Sequence, residues 1–566
     1  MGDSTMIDPP APEAARASAA PVQQQIGVVT AVSGFKLSCL LQGPAAPFQG
    51  SGQGAYGLAQ IGSLIKVPTP NAMAFGFIEN LTLHQRATDE RMHRAATAEI
   101  ELLGELAVPS PGQAPVFSRG ISTYPVLGAA AYAATERDLA RIYAKPDTPT
   151  LQIGVLHQDP GKIAHLRAQD FLSKHSAIVG TVGSGKSCAL TLILRALLDA
   201  HPNGHVVLLD PHDEYAHAFQ GMAEIITPQN LQLPYWLLSF EEIVEVLCSR
   251  DPISRSREAS ILKDAIVEAK REFLSTPQQG APAMAPPPSA AYLTVDTPTP
   301  YRLTSVVQKI SQAMGKLDRP DNTLPYLRLM TTIETLRQDE RYAFMFSGLS
   351  VRDNMAEILS RVLRIPVEGK PITIVGLSAV PSEIVNVLVS LLCRLIFDFA
   401  VWNDRGETVP IMLVCDEAHR YIPREEGAGL EPTRRSIARI AKEGRKYGVS
   451  LCLVTQRPSE IAESILSQCS TLFALRMTNE RDHAFVRSTL PESAAGLLNT
   501  LPTLRQQEAI IIGEGVAHPM RIRFNDLDPA HFPKGKATSF TEAWGEDRKG
   551  IDFVNTIVER WRHQTP

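Results

Sequence analysis

Apolar residues fall into two rhythms along this chain, and the rhythm changes near His175. Between about residues 25 and 157 they form short runs cut by Gly, Pro, Asn and Asp: GVVTAVSG, KLSCLL, SLIKVPT, MAFGFIENLTL, ATAEIELLGEL and LQIGVL. Many short strands with turn residues between them predict a small antiparallel β-barrel or sandwich over 25–157. Beyond His175 the apolar runs SAIVG, HVVLLD, PITIVG, IMLVCD, VSLCLVTQ, TLFALR and EAIIIG alternate with helical stretches. That alternation predicts an α/β core, 158–536, built on a parallel sheet whose strands are buried on both faces. Residues from about 237 to 368 read as mostly helical and interrupt the sheet. Inside them 276–291, TPQQGAPAMAPPPSAA, is rich in Pro and Ala and is expected to be mobile. Residues 1–24 read as a flexible leader. In the last segment, 537–566, Ile551, Val554, Ile557, Val558 and Trp561 make a helical apolar stripe that needs another surface to cover it. The longest apolar stretch, Ile384 to Trp402, is broken by Asn386, Arg394 and Asp398, which fits a buried helix better than a membrane span.

Composition narrows the picture. A chain of 566 residues that is 44% hydrophobic and 20% charged has enough apolar side chain for a sizeable core, which excludes a disordered chain and a small stapled module. The formal net charge of −5 excludes a bulk nucleic-acid coat, so any DNA contact has to come from a local patch or a channel repeated by oligomerisation. The seven cysteines show neither CxxC spacing nor a disulfide ladder, as suits a reducing compartment. The N-terminus lacks the basic start and apolar block of a signal peptide. A cytoplasmic protein without a membrane partner is expected.

The chemistry is concentrated in a few short motifs. Gly180-Thr181-Val182-Gly183-Ser184-Gly185-Lys186-Ser187 matches GxxxxGK[ST] and sits between the strand SAIV and the helix that begins near Cys188. Glycines are needed there because backbone N–H groups must turn inward around a phosphate, and the following helix start adds its partial positive charge. Residues Gly180 to Cys188 are therefore the candidate nucleotide-binding loop, with Lys186 reaching the β- and γ-phosphates and Ser187 holding magnesium. Hydrolysis also needs a carboxylate near the metal and a group to orient water. The apolar strand IMLVC ends in both: Asp416 for the magnesium and Glu417 to polarise the attacking water. Lys186 and Asp416 lie much further apart than one or two βα units would place them, in keeping with an inserted block. VSLCLVTQ ends in Gln456, a candidate γ-phosphate sensor at a strand end. Asp210 and Glu214 occupy another strand end, as site residues or as turn and cap. In the helical TRRSIARIAKEGRKYG (433–448), Arg435, Arg439, Lys442 and Lys446 share one face. Arg445, on a different side, is the candidate arginine supplied to a neighbouring subunit's site, with Arg439 as the second choice.

These motifs, together with LPYWLLSFEE, TVDTPTPYRL, IAKEGRKYG, LVTQRPSEI, LSQCSTLFALRMTN and LPTLRQQEAIIIGE, resemble the HerA family of the HerA/FtsK ATPase superfamily over most of the chain from about residue 25. The resemblance implies a RecA-like parallel-sheet P-loop ATPase core with a helical insertion, preceded by an all-β HAS-barrel. It implies ATP and Mg2+, a homo-hexameric ring, translocation on or unwinding of double-stranded DNA, and C-terminal segments that brace neighbouring subunits. It also implies a partner on the N-terminal barrel, either a NurA-like nuclease in DNA end processing or a sirtuin-type or nuclease effector in antiphage defence. Asp416 to His419 spells DEAH, the motif of helicases with two RecA-like domains in one chain, but a second such domain with its QRxGR motif is missing. Two other functions stay open: a hexameric scaffold that organises an effector with nucleotide as a clamp, and a conjugation-type ATPase that moves protein.

Overall fold

The computed structural model describes residues 24–41, 60–88, 91–107, 115–275, 293–316, 323–346, 351–403, 407–425, 430–489, 495–534, 544 and 550–562. The expected mobile loop 276–291 and all but the last residue of the expected leader lie outside them. The chain divides into two compact units, Met1–Ala144 and Lys145–Pro566.

In the first unit β1 (Gln25–Ser33), β2 (Lys36–Leu41), β3 (Leu64–Pro68), β4 (Ala72–Thr88), β5 (Arg91–Ala107), β6 (Val116–Arg119) and β7 (Ala130–Ala133) form one antiparallel sheet. Its order is β2-β1-β7-β3-β4-β5-β6, and pairing of β2 with β5 closes six of these strands into a barrel. Alternation along the strands turns Val29, Leu37, Cys39, Ile65, Ile78 and Ile100 inward as the core. Of the two antiparallel architectures open from the sequence, closure selects the barrel, which leaves far less unpaired strand edge than a sandwich.

The second unit is built on an eleven-stranded sheet: β8 (Thr150–Leu156), β9 (Ile163–Arg167), β10 (His175–Val179), β11 (Val206–Asp210), β12 (Ala223–Ile226), β13 (Ile372–Gly376), β14 (Ile411–Cys415), β15 (Val449–Thr455), β16 (Cys469–Leu475), β17 (Glu508–Gly513) and β18 (Met520–Phe524). The order is β12-β13-β11-β14-β15-β10-β16-β17-β18-β8-β9, parallel from β12 through β16 and antiparallel beyond. Two sequence expectations are corrected here. EAIIIG is β17, and it is antiparallel: residues 514–519 return the chain to β18 without the crossover a parallel pair requires. LQIGVL lies in β8, which pairs with β18, so the division between units falls after Ala144 and not after residue 157. Gly154 permits that pairing, since a Cβ there would lie 2.2 Å from the Arg523 carbonyl oxygen.

Between β12 and β13 the described residues are mainly helical, with α-helices at Phe240–Leu247, Pro252–Ser275, Leu303–Met314, Leu324–Gln338, Ala343–Phe346 and Met355–Leu363. The first is fastened to the long helix Ser382–Trp402: buried Glu242 receives Arg394 Nη2 at 3.0 Å and the Ser390 hydroxyl at 2.8 Å. Ser382–Trp402 is the one helix among the described residues long and apolar enough to cross a membrane, and most of it is buried in this core. The helix Ile551–Arg562 has no buried residue, and Ile551, Phe553, Val554, Ile557 and Trp561 are exposed.

Candidate nucleotide site

The site is assembled at the carboxyl edge of the parallel strands. After β10 the chain turns through the Gly180–Gly185 loop into the helix Lys186–Ala200, whose Leu190, Ile193, Leu194 and Leu197 are buried and fix its axis against the sheet. Gly185 starts that helix with φ 99°, a conformation most side chains resist. Gly180 is required for space, because a Cβ would meet Ser184 Oγ at 2.7 Å and Leu475 Cβ at 2.9 Å. The loop is braced from both sides: Gly180 N–H donates to the Thr455 carbonyl at 3.3 Å, and Thr181 N–H and Oγ1 donate to the Arg476 carbonyl at 2.9 and 3.0 Å. Ser184 Oγ donates to the Thr181 carbonyl at 2.7 Å. Lys186 Nζ donates to the same carbonyl at 3.1 Å. Burial lowers the Lys186 pKa, against the opposing pull of Glu417, Asp416 and Glu214.

Strand order determines what faces this loop. β15 lies between β10 and β14, so at roughly 4.8 Å per strand the acids that follow β14 stand about 10 Å from the loop strand, a gap in which phosphates fit. Asp416 is 5% exposed, and its carboxyl is pushed up to about 7 by burial and then by the charge of Glu417, with Asp210 and Glu214 adding to it. Ser187 Oγ donates to Glu214 Oε2 at 3.3 Å. Asp210 is fully buried and accepts from the backbone N–H groups of His212 and Tyr215, so it stiffens the loop that carries Glu214 while its own pKa is raised by burial. Glu417 follows in a left-handed conformation, φ 48°, and its buried Oε2 has no hydrogen-bond partner among the described residues. Half-buried Glu214 beside the Ser187 hydroxyl, and buried Asp416 whose charge is opposed by Glu417, Asp210 and Glu214, suit a divalent ion that would return Asp416 to its ionised form. Ser187 and Asp416 fit that role.

Gln456 comes directly after β15 and lines a cleft of about 550 Å³ with Thr181, Val182, Arg457 and Arg476. It therefore sits at the end of the strand between the phosphate loop and the acids. The two candidate arginines lie elsewhere. Arg445 precedes β15, at the amino edge, and is exposed with no ion pair among the described residues. Arg439 is engaged within the chain, 3.4 Å from Asp398 Oδ1 and with its guanidinium 4.4 Å from the centre of the Phe397 ring. Val182 and Cys188 are exposed at the loop. Sequence reasoning missed the contacts of Glu214 with Ser187, of Arg476 with Thr181 and of His419 with Thr455. Only the strand-end position of Glu214 signalled anything, because each contact joins segments remote in sequence.

A sequence profile for the central domain of the helicase HerA matches residues 151–396, beginning in β8. Over 441 residues the chain is 25% identical to the DNA double-strand break repair helicase HerA of Sulfolobus acidocaldarius, covering 77% of this chain and 80% of that one. It is 23% identical over 463 residues to the protein of the same name from Pyrococcus furiosus, covering 76% and 77%. Among solved structures, VirB4 of Thermoanaerobacter pseudethanolicus aligns with a TM-score of 0.44 at 15% identity, covering 68% of this chain and 99% of that chain.

Proposed function

From the premise that the chain belongs to the HerA helicase family, we propose that it is an ATP-hydrolysing motor that translocates on or unwinds double-stranded DNA. The observation that carries this reading is the convergence of Lys186, Ser187, Asp416, Glu417 and Gln456 on one edge of one sheet. Lys186 and the loop N–H groups bind the phosphates, and Ser187 and Asp416 would hold magnesium. Bound magnesium supplies positive charge to the phosphate oxygens. Glu417, whose buried Oε2 has no hydrogen-bond partner among the described residues, orients water and accepts its proton, and Gln456 reads the terminal phosphate. The archaeal relatives are named as DNA helicases, which directs the motor to DNA.

Two observations support a homo-hexameric ring as its working form. Arg445 stands at the edge of the sheet away from its own phosphate loop, available to a neighbour. The exposed stripe of the helix Ile551–Arg562 is apolar surface that a second copy would cover. ATP turnover measured with and without duplex DNA tests the motor. DNA should raise the rate, and Lys186→Ala should weaken nucleotide binding by about 100-fold or more, since the phosphates lose a charge-assisted donor. Absence of hydrolysis in both conditions would favour the scaffold reading.

The barrel is the proposed dock for a nuclease or NAD-hydrolysing effector, in antiphage defence or DNA end processing. It is a compact unit of its own and exposes Tyr124, Val126 and Leu127 in one segment. The triple change Tyr124→Ser, Val126→Ser, Leu127→Ser is expected to abolish co-purification of that effector while leaving the oligomeric mass unchanged. Unaltered co-purification would move the docking surface off this segment.

A further inference from the structure

We propose that His419 is a positioning residue for Glu417, holding the carboxylate in register with the strand end that carries Gln456. The proposal rests on the hydrolytic role given to Glu417 above. His419 lies in the short 3-10 turn Ala418–Arg420 that follows the two acids. Its Nδ1 is 3.2 Å from Thr455 Oγ1 and 3.3 Å from Glu417 Oε2, the buried oxygen that has no hydrogen-bond partner among the described residues. Thr455 is the last residue of β15, fully buried, and its Oγ1 also accepts the Arg457 backbone N–H at 3.0 Å. That bond spans Gln456. One imidazole nitrogen thus faces both the candidate water-orienting carboxylate and the turn of the candidate phosphate sensor.

The Nδ1–H tautomer is the one that serves Glu417. An unprotonated Nδ1 would accept the Thr455 hydroxyl and turn its lone pair toward Glu417 Oε2 as well, a repulsive contact. Nδ1–H has two acceptors within reach and can favour either. Burial lowers the His419 pKa, which keeps the ring neutral, so this one N–H is what it offers on that side. Donated to Thr455, it leaves Glu417 Oε2 unbonded and basic; donated to Glu417, it fixes the carboxylate's direction.

A purely architectural role is already filled by backbone. The segments after β14 and β15 are joined by Ala462 N–H to the Ile422 carbonyl at 3.1 Å, by Arg424 N–H to the Glu460 carbonyl at 2.6 Å, and by a bridge between Pro423 and Ile461. The loops stay together without the imidazole. What it adds is direction to the carboxylate, and a misplaced catalytic group costs up to about 100-fold in rate.

The test uses the full-length chain and compares the parent, His419→Ala, His419→Asn, Thr455→Val and Glu417→Gln by ATP turnover, nucleotide affinity and thermal melting. Asn places a side-chain N–H close to the position of Nδ1. His419→Ala should lower kcat about 10- to 100-fold with affinity within about two-fold, and His419→Asn should recover most of it. Thr455→Val, which leaves the histidine in place, should lose about three- to ten-fold. Adding His419→Ala to Glu417→Gln should cost nothing further, because the imidazole acts through the carboxylate. Parental kcat in His419→Ala, equal loss in the Ala and Asn variants, or loss confined to affinity would each overturn the proposal. If instead the parent itself does not hydrolyse ATP, or Glu417→Gln is as active as the parent, the reading of the site fails.

Discussion

Glu417→Gln is expected to reduce ATP turnover by about 10²- to 10⁴-fold while nucleotide affinity stays within about two-fold of the parent. Glutamine preserves the shape of the side chain and its place after β14 but cannot take a proton. The groups proposed to bind the phosphates are untouched, since Lys186 and Ser187 belong to a loop braced by Thr455 and Arg476. Removing the Glu417 charge also relieves the second-largest cause that raises the Asp416 carboxyl towards 7. Asp416 then ionises at lower pH, which favours a divalent ion and separates binding from turnover. Phosphate release under steady state, read beside titration with a fluorescent nucleotide, checks both halves. Turnover at the parental rate would remove Glu417 from the chemistry.

The largest expected loss is at Arg445. If it reaches a neighbouring subunit's phosphates, Arg445→Ala should lower turnover by about 10³- to 10⁵-fold. A role at its own site is excluded by the sheet: Arg445 enters β15 at the amino edge, the phosphate loop lies at the carboxyl edge, and Val449–Thr455 spans about 23 Å between them. Arg439→Ala should have a far smaller effect, since that guanidinium is engaged with Asp398 and Phe397 of its own chain. Mixing Arg445→Ala with Glu417→Gln chains should restore part of the activity, because some interfaces then pair an intact glutamate with an intact arginine. Full turnover in pure Arg445→Ala protein would end the assignment, and so would a mixture no more active than its components.

Gly180–Ser187 and Asp416–Glu417 were legible in the chain because their chemistry is local. A loop that turns N–H groups inward needs glycine at fixed offsets, and an apolar run that ends in two acids marks a buried strand emerging at an edge. The helical block before β13 was legible for the same reason, as a change of period. Strand order is a different kind of information. Nothing near Gln456 states that β15 lies between β10 and β14, and this placement alone sets the glutamine between loop and acids. LQIGVL reads equally well as a barrel strand or as a partner for β18, and only the distant segment Met520–Phe524 decides it. The contact of His419 with Thr455 joins two strand ends, and the distance of Arg445 from its own loop is the length of a strand. The sequence by itself therefore determined which groups are present and which local backbone carries them. The tertiary structure decided which of them meet, because pairing and register between remote strands depend on burial of the whole sheet and not on any local motif.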